Sequence, residues 1–213
     1  AIAARAFFDN GGKQLFVSRV CRDVNRADAV NDGTGAVRAA VVVFPGSNAD
    51  AEMLRTLRQV LQIDTSVVFH KERELPSGTD LVVIPGGFAH GDYLRAGALA
   101  KASPISQDLA RHAERGGLLL GVCNGFQILT EMGLLPGALT RNSGLRFECR
   151  EVRVSAVATG PFTAGLEGKV LRLPISHAEQ HHLRDPLGER LSEHVVDEAG
   201  AQPDAVEIGR AHV

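Results

Sequence analysis

The sequence predicts an α/β fold with a doubly wound, mainly parallel sheet and added antiparallel strands after residue 145. Two patterns support this prediction. Short apolar runs, typical of strands covered on both faces, alternate with amphipathic helical patterns as far as residue 132. After residue 145, apolar and polar residues alternate singly, as in an antiparallel strand with one face in water. In a doubly wound sheet the functional site lies at the carboxyl ends of the strands.

The first half of the predicted sheet starts with Ala39–Phe44, an uninterrupted apolar strand. A Pro-Gly-Ser-Asn turn then leads into a helix that ends at about Leu61 and carries its apolar residues along one stripe. Thr65–Phe69 follows as the second strand, and Asp80–Ile84 as the third.

The second half starts with a helix from Ser103 to about Glu114, because Ser is a common N-cap and Pro104 suits the first turn. Leu118–Val122 is the fourth strand, and an apolar-faced helix covers residues 126–132. The predicted antiparallel strands are Arg146–Val154 and Lys169–Leu173.

The composition argues against several classes of function. A net charge of −2 and a pI near 6.5 give no basic surface for nucleic acid. No apolar run approaches the ~18 residues of a membrane span, and the first residues lack the apolar core of a signal peptide. Cys21, Cys123 and Cys149 are too widely spaced for a zinc pattern or a disulfide framework. We therefore predict no metal site and a reducing, cytoplasmic location.

The candidate catalytic residue is Cys123, in the segment Gly121-Val-Cys-Asn-Gly125 between the fourth strand and its helix. A sharp strand-to-helix turn holds a nucleophile clear of the sheet, and only small residues two places to either side tolerate it. The thiol then lies at a helix N-terminus, where backbone N–H dipoles stabilise a thiolate. The N–H of Asn124 points to where an oxyanion would form. The alternative is a structural cysteine in a glycine-rich turn.

Three segments in sequence order carry a resemblance to a known family: Val42–Asn48 (VVFPGSN), Pro85–Gly97 (PGGFAHGDYLRAG) and Gly121–Phe147 (GVCNGFQILTEMGLLPGALTRNSGLRF). They resemble the class I glutamine amidotransferases, and within that class the glutaminase subunit of phosphoribosylformylglycinamidine synthase. The resemblance covers about Val37 to Gln180 and implies a flavodoxin-like, doubly wound fold.

The same resemblance implies roles for residues around Cys123. Gly87 supplies a second oxyanion donor beside Asn124, and Gly86 belongs to the same substrate-binding loop. Gln127, one helical turn after the cysteine, contacts the substrate glutamine. The alternatives are glycines that only permit a tight turn and a glutamine that only covers a helix surface.

Two further residues attract attention but receive no catalytic role. His90 lies in the glycine-containing segment, where family members commonly carry an aromatic residue, so we predict that it packs within that loop. Cys149 falls in the first antiparallel strand, and we predict a core or edge position for it.

By resemblance, the chain hydrolyses glutamine to glutamate and passes the ammonia to a synthetase subunit, with a small third subunit in the same complex. The synthetase uses ATP to amidate formylglycinamide ribonucleotide in de novo purine biosynthesis. ATP and magnesium are therefore expected on that partner, and no cofactor is expected in this chain. The Pro45-Gly-Ser turn is too short for a phosphate loop and lacks its lysine.

The general base of the family and the glutamate that orients it come from a His-Pro-Glu segment, which this sequence lacks. His177 and Glu179 have a spacing that would place both side chains on one face of a strand. They resemble an earlier segment of the family, however, so this pair is not our prediction for the base.

Both ends of the chain fall outside the resemblance. We expect residues 1–36 to be an extension or untranslated upstream sequence, and residues 37–206 to be an incomplete amidotransferase domain. Residues 207–213 match the translation of a sequencing adapter, so we expect truncation. The alternatives to an active glutaminase are a catalytically incompetent fragment and a cysteine hydrolase or chaperone of the DJ-1/PfpI type. Proteins of that last type usually carry His where this chain has Asn124.

Overall fold

The computed structural model describes residues 37–135, 138–142, 144–156, 162, 170–184, 190–191 and 207–208. Among these, residues 37–135 belong to one compact unit, and those from 138 onward belong to a second. The predicted extension at residues 1–36 lies outside the described residues, as does Cys21.

A four-stranded parallel sheet lies at the centre of the first unit, which confirms the predicted fold class. Its strands are β1 (Arg38–Val43), β2 (Asp64–Phe69), β3 (Leu81–Ile84) and β4 (Leu118–Gly121). They lie in the order β2-β1-β3-β4, and each neighbouring pair is parallel. Because β3 and β4 are neighbours, the segments that follow them meet at the same edge of the sheet.

Helices in the described part of this unit are α1 (Asp50–Arg55), α2 (Ser106–Glu114) and α3 (Asn124–Glu131). The first predicted helix is present, but its second half, Thr56–Val60, is π-helical. Short 3₁₀ segments occupy Ala89–Asp92 and Ala100–Ala102. Within the described ranges, no helix has the length and apolar content needed to cross a membrane.

The second helix begins later than predicted. Ser103 has an extended backbone (φ −70°, ψ 146°), and α2 starts only at Ser106. The hydroxyl of Ser103 lies 3.2 Å from Nδ1 of His70, at the end of β2, and does not cap α2. The hydroxyl of Ser103 thus takes part in a contact between two elements instead of capping the helix.

Side chains of the inner strands β1 and β3 are more fully buried than those of β2 at the edge of the sheet. β1 and β3 lie inside the sheet, and the valines at their centres are fully buried. β2 lies at an edge, and its burial is correspondingly interrupted. Apolar side chains from α2, α3 and the residue before α2 complete the same core, among them Ile105, Leu109, Ile128 and Leu129. Full burial of such a side chain contributes about 1.5–3 kcal/mol, so the core fixes the carboxyl ends of β3 and β4.

The second unit consists of strands in its described part: β5 (Ala138–Arg141), β6 (Glu148–Ala156), β7 (Val170–His177), β8 (Glu179–Arg184), β9 (Arg190–Leu191) and β10 (Glu207–Ile208). β6 and β7 pair antiparallel, as predicted, and β8 pairs antiparallel with both β5 and β9. β10 pairs parallel with the end of β6. Cys149 lies in β6 and is exposed, so the core position considered for it is wrong.

Candidate active site

Cys123 lies at the turn between β4 and α3, where the sequence predicts the nucleophile. Its backbone has φ 52° and ψ −112°, a positive φ that side-chain-bearing residues rarely adopt. Such a conformation costs on the order of 1–3 kcal/mol and persists only where the surrounding structure holds it. Here Gly125 N–H donates to the carbonyl of Val122 (2.9 Å), and Phe126 N–H donates to the carbonyl of Cys123 (3.0 Å). The thiol is half-buried.

The two glycines that flank the cysteine are required by close backbone contacts. A β-carbon on Gly121 would lie 2.7 Å from the carbonyl carbon of Gly125. A β-carbon on Gly125 would collide with the carbonyl oxygen of Ile84, at the end of β3. The sharp turn at Cys123 therefore brings α3 against both β4 and β3 so closely that no side chain fits at either position.

The loop after β3 lies directly beside this turn, and residues 86–94 are called the glycine loop below. A β-carbon on Gly86 would lie 3.4 Å from Cβ of Cys123. Gly87 has φ 148° and forms an isolated antiparallel bridge with Ser47. The bonds of this bridge run from Asn48 N–H to Gly86 and from Phe88 N–H to Gly46. They leave the N–H of Gly87 without an acceptor among the described residues.

The N–H of Asn124 is the second predicted oxyanion donor. Asn124 is the first residue of α3, and in the described part of the chain its N–H donates no backbone hydrogen bond. The next three N–H groups of the helix donate to carbonyls of Val122 and Cys123. The amides of Gly87 and Asn124 thus have no competing backbone acceptor there, and their role as donors to an oxyanion stays a prediction.

The side chain of Asn124 makes contacts that the sequence does not predict. It is only 2% exposed, and its Oδ1 accepts a hydrogen bond from the N–H of Ala89 (2.9 Å). Its Nδ2 donates to Oδ1 of Asp92 (3.0 Å) and to Oε1 of Gln127 (3.1 Å). One amide therefore joins the turn at Cys123, the glycine loop and the predicted substrate-binding glutamine.

The glycine loop has an unusual backbone. His90 (φ 54°), Asp92 (φ 52°) and Leu94 (φ 70°) all have positive φ, as does Gly91 between them. Burial raises the pKa of the Asp92 carboxyl, and the hydrogen bond from Asn124 partly offsets this by stabilising the charged form. Sequence patterns do not reveal this backbone, because among residues 90–94 only Gly91 is a glycine, the residue that adopts positive φ without steric cost.

The ring of His90 packs against two rings that lie outside the glycine loop. Its ring centroid lies 5.3 Å from that of His70 and 6.4 Å from that of Phe44. The Nε2 atoms of both histidines are buried without a hydrogen-bond partner in the described part of the chain. Burial lowers the pKa of His70, and repulsion from His90 and Lys71 lowers it further.

His177 lies in the second unit, at the end of β7. Its Nδ1 is 3.1 Å from Oδ1 of Asn142, and Nδ2 of Asn142 donates to its carbonyl (3.0 Å). The side chain of Glu179 lies outside the described residues. The pair therefore remains without an assigned role.

A cavity in the first unit lies away from Cys123, and a metal site is not found among the described residues. A cavity of about 330 Å³ is lined by the first-unit residues 75–80, Asp108, His112 and 115–117. It lies at the amino ends of β3 and β4, the opposite edge of the sheet from the turn that follows β4. No group of three or more His, Cys, Asp and Glu side chains that could hold a metal ion occurs among the described residues.

A domain family and individual proteins of known sequence both show similarity to this chain, and both are glutamine amidotransferase related. Residues 36–191 match the CobB/CobQ-like glutamine amidotransferase domain. The phosphoribosylformylglycinamidine synthase subunit PurQ of Cereibacter sphaeroides is 52% identical over 152 residues, which are 70% of this chain and 68% of that protein. The PurQ subunit of Bradyrhizobium diazoefficiens is 50% identical over 151 residues, 70% of this chain and 65% of that protein. The matches thus span about two thirds of the length of these relatives.

A solved structure shows the same similarity. A chain from the structure of PurLQS from Thermotoga maritima has a TM-score of 0.65 and 37% sequence identity to this chain. The superposition covers 78% of this chain and 84% of that one.

Proposed function

Because the chain belongs to the CobB/CobQ-like glutamine amidotransferases, and within them to the PurQ subunits of phosphoribosylformylglycinamidine synthase, we propose that it releases ammonia from glutamine at Cys123. The ammonia serves the ATP-dependent amidation of formylglycinamide ribonucleotide in de novo purine biosynthesis. The observation that carries this proposal is the strained turn at Cys123, which lies beside two amides without backbone acceptors in the described part of the chain.

The reaction proceeds in two stages. The Cys123 thiolate attacks the side-chain amide carbon of glutamine, and the resulting oxyanion accepts hydrogen bonds from the N–H groups of Gly87 and Asn124. Each such donor contributes about 3–4 kcal/mol in enzymes of known mechanism. The C–N bond breaks, the nitrogen takes a proton and leaves as ammonia, and a thioester remains. Water then attacks the thioester, which yields glutamate and restores the thiol.

The proton transfers need a general base, and we assign this role to none of the described histidines. Nε2 of His112 lies 3.2 Å from the carbonyl oxygen of Leu118, at the start of β4 rather than at its end. His70 is buried against Ser103, and His177 contacts Asn142 in the second unit. The reactivity of the thiol can nevertheless be measured without a base, by irreversible alkylation.

The substrate side chain is expected to lie between the glycine loop and α3. Gly86 contributes a surface without a side chain directly against Cys123. Gln127 follows Cys123 by one turn of α3, so both residues lie on the same face of the helix. These two residues are the proposed contacts for glutamine.

The proposed partner is a synthetase subunit, as in the Thermotoga PurLQS assembly named above. The glycine loop and its neighbourhood expose large apolar side chains: Phe88 is 63% exposed, Tyr93 74% and Leu94 87%. Such a cluster on a soluble surface marks a protein interaction site. We place the synthetase on this loop, with ATP, magnesium and the small third subunit bound by the partner complex. We propose a cytoplasmic location, which the pathway and the wide spacing of the cysteines support.

Active-site labelling tests the proposal. A chloromethyl ketone analogue of glutamine should alkylate Cys123, with loss of chloride, much faster than Cys149, although Cys149 is the more exposed of the two. Iodoacetamide, which lacks the glutamine portion, should label both. Peptide mass spectrometry of the intact chain and of a Cys123→Ala variant distinguishes the sites. Equal labelling of the two cysteines by the chloromethyl ketone would refute a glutamine site at Cys123.

A further inference from the structure

The side chain of Asn124 lies at the centre of a hydrogen-bond network that the reaction described above does not use. Its amide contacts Ala89 and Asp92 of the glycine loop and Gln127 of α3. We propose that this side chain is a positioning residue, which holds the glycine loop in place and sets the direction in which Gln127 presents its amide to substrate. This inference rests on the proposed glutaminase function and deepens it.

The direction of each hydrogen bond in the network follows from the backbone N–H of Ala89, which can only donate. The Asn124 atom that faces it is therefore the carbonyl oxygen Oδ1. The other atom, Nδ2, can only donate, and it faces Asp92 and Gln127. The carboxylate of Asp92 accepts one of these bonds. The Gln127 atom that faces Nδ2 must then be its oxygen.

This orientation has a consequence for substrate binding. Because Oε1 of Gln127 faces Asn124, its Nε2 lies on the other side of the same planar amide. Gln127 therefore has its donor rather than its acceptor on that side. A donor suits the carboxylate or a carbonyl oxygen of an amino-acid substrate, and it does not suit an ammonium group.

The network also explains how the loop keeps its shape. Positive φ at His90, Asp92 and Leu94 is sparsely populated and persists only when neighbouring contacts enforce it. From the sheet side, the carbonyls of Pro45 and Gly46 accept the N–H groups of His90 and Phe88. From the α3 side, Asn124 contacts Ala89 and Asp92. The backbone N–H of Asn124 is one proposed oxyanion donor, and the N–H of Gly87 in the glycine loop is the other. The side chain of Asn124 thus connects these two donors.

Asn124→Asp is the most direct test, since it preserves size and can still accept from Ala89 N–H. It removes both donated bonds and places a second carboxylate against Asp92. With the chloromethyl ketone analogue of glutamine, kinact/KI for Cys123 should fall at least tenfold. The iodoacetamide rate serves as the reference for each variant, because it corrects for a change in thiolate content. A ratio of the two rates equal to that of the unmodified protein would overturn the proposal.

A second substitution tests the connection to Asp92. Asp92→Asn alone retains an acceptor for Asn124 and should lower kinact/KI no more than about threefold. When Asp92→Asn is combined with Asn124→Asp, the introduced amide can donate to the introduced carboxylate, and the net charge is that of the unmodified protein. We expect kinact to recover at least threefold relative to Asn124→Asp. KI should stay raised, because Gln127 must reverse its amide to face the introduced carboxylate. Absence of any recovery would overturn the role of Asp92.

Gln127→Glu tests the orientation of the amide separately. The new carboxylate can accept from Asn124 but cannot donate to substrate, so KI should rise with little change in kinact. Thermal unfolding of every variant, with Asp64→Asn at the exposed start of β2 as a matched control, shows whether each one is folded. If KI and kinact both stay unchanged in Gln127→Glu, the proposed orientation is wrong. If even the unmodified chain shows no preference for Cys123, the proposed function fails instead.

Discussion

Gly86 faces Cys123 across the carboxyl ends of β3 and β4, and a β-carbon on this glycine would touch the cysteine side chain. A β-carbon on Gly86 would be 3.4 Å from Cβ of Cys123, which is an ordinary van der Waals distance. The other nearest atoms, the carbonyl oxygen of Val122 and Cβ of Ala49, would be 3.6 and 3.8 Å away. An alanine therefore fits at this position, but its methyl group occupies space directly beside the nucleophile.

Gly86→Ala should consequently separate activity from stability. We expect labelling of Cys123 by the glutamine chloromethyl ketone to fall at least tenfold, because the methyl group stands where the substrate amide must approach. The free energy of unfolding should change by no more than about 1 kcal/mol, since the contact distances are normal and Gly→Ala in a compatible backbone changes stability by about 0.4–1 kcal/mol. Gly144→Ala, at a position with open space around it, is the matched control. Unimpaired labelling would show that Gly86 does not border the substrate.

Gly125→Ala should have the opposite effect. A β-carbon at this position would collide with the backbone carbonyl oxygen of Ile84, which cannot move without disturbing β3. Inserting a methyl group into such a packed site costs typically 1–3 kcal/mol and sometimes more. We expect a loss of stability of about 3 kcal/mol or more, measured by urea unfolding against Gly144→Ala. A stability equal to that of the control would mean that α3 does not pack against β3 as described.

The sequence predicts the turn at Cys123 and its flanking glycines because the reason for them is local. A strand, a nucleophile and a helix are consecutive, and the bend between them demands small residues. The parallel sheet is predicted for the same reason, since three of its four strands, β1, β3 and β4, consist mainly of continuous apolar runs. These features need no knowledge of which distant residues meet.

Other features depend on contacts between distant segments and were missed or wrongly predicted. Ser103 has the sequence of a helix cap, but its hydroxyl contacts His70 and the helix starts three residues later. Asn124 and Asp92 are 32 residues apart, and nothing local indicates that their side chains meet. Cys149 is predicted in the core or at an edge and is exposed, so the core alternative is wrong, and exposure alone would favour labelling of Cys149 over the half-buried Cys123. The expected preference of glutamine analogues for Cys123 must therefore arise from the surroundings of its thiol, which are the N-terminus of α3 and the neighbouring amides.

The buried histidines predict a loss of stability in mild acid. Burial lowers the pKa of His112 below the ordinary 6.5, although the hydrogen bond to the Leu118 carbonyl acts in the opposite direction. The pKa of His70 is lowered as well. The unfolded chain then binds more protons than the folded chain just below pH 6.5. The free energy of unfolding should therefore fall as the pH drops from about 6.5 towards the lowered values.

Urea unfolding between pH 7.5 and about 5 measures this dependence. His112→Gln can still donate to the carbonyl of Leu118 but does not titrate, so its stability should depend less on pH than that of the unmodified chain. A double substitution that also replaces His70 with Gln should reduce the dependence further. An unchanged slope in both variants would assign the acid sensitivity to other groups.

His177→Ala examines the histidine that, together with Glu179, could be taken from the sequence for a catalytic pair. Nδ1 of His177 is engaged with Asn142, which gives the ring a structural contact within the second unit. If His177 serves only that contact, its replacement should leave both the rate of Cys123 labelling and any glutamine turnover unchanged. Removal of a true general base lowers turnover by orders of magnitude, because nucleophile and base act as one unit.

The measurement is glutamate release by the full chain in the presence of its synthetase partner, with Cys123→Ala as the inactive control. Asn142→Ala provides a second control, because it removes the same hydrogen bond while leaving the imidazole in place. If both variants lose activity equally, the contact is needed for folding and the ring is not the base. If only His177→Ala abolishes turnover while Cys123 is still alkylated, His177 is the base, and our decision to leave it unassigned is wrong.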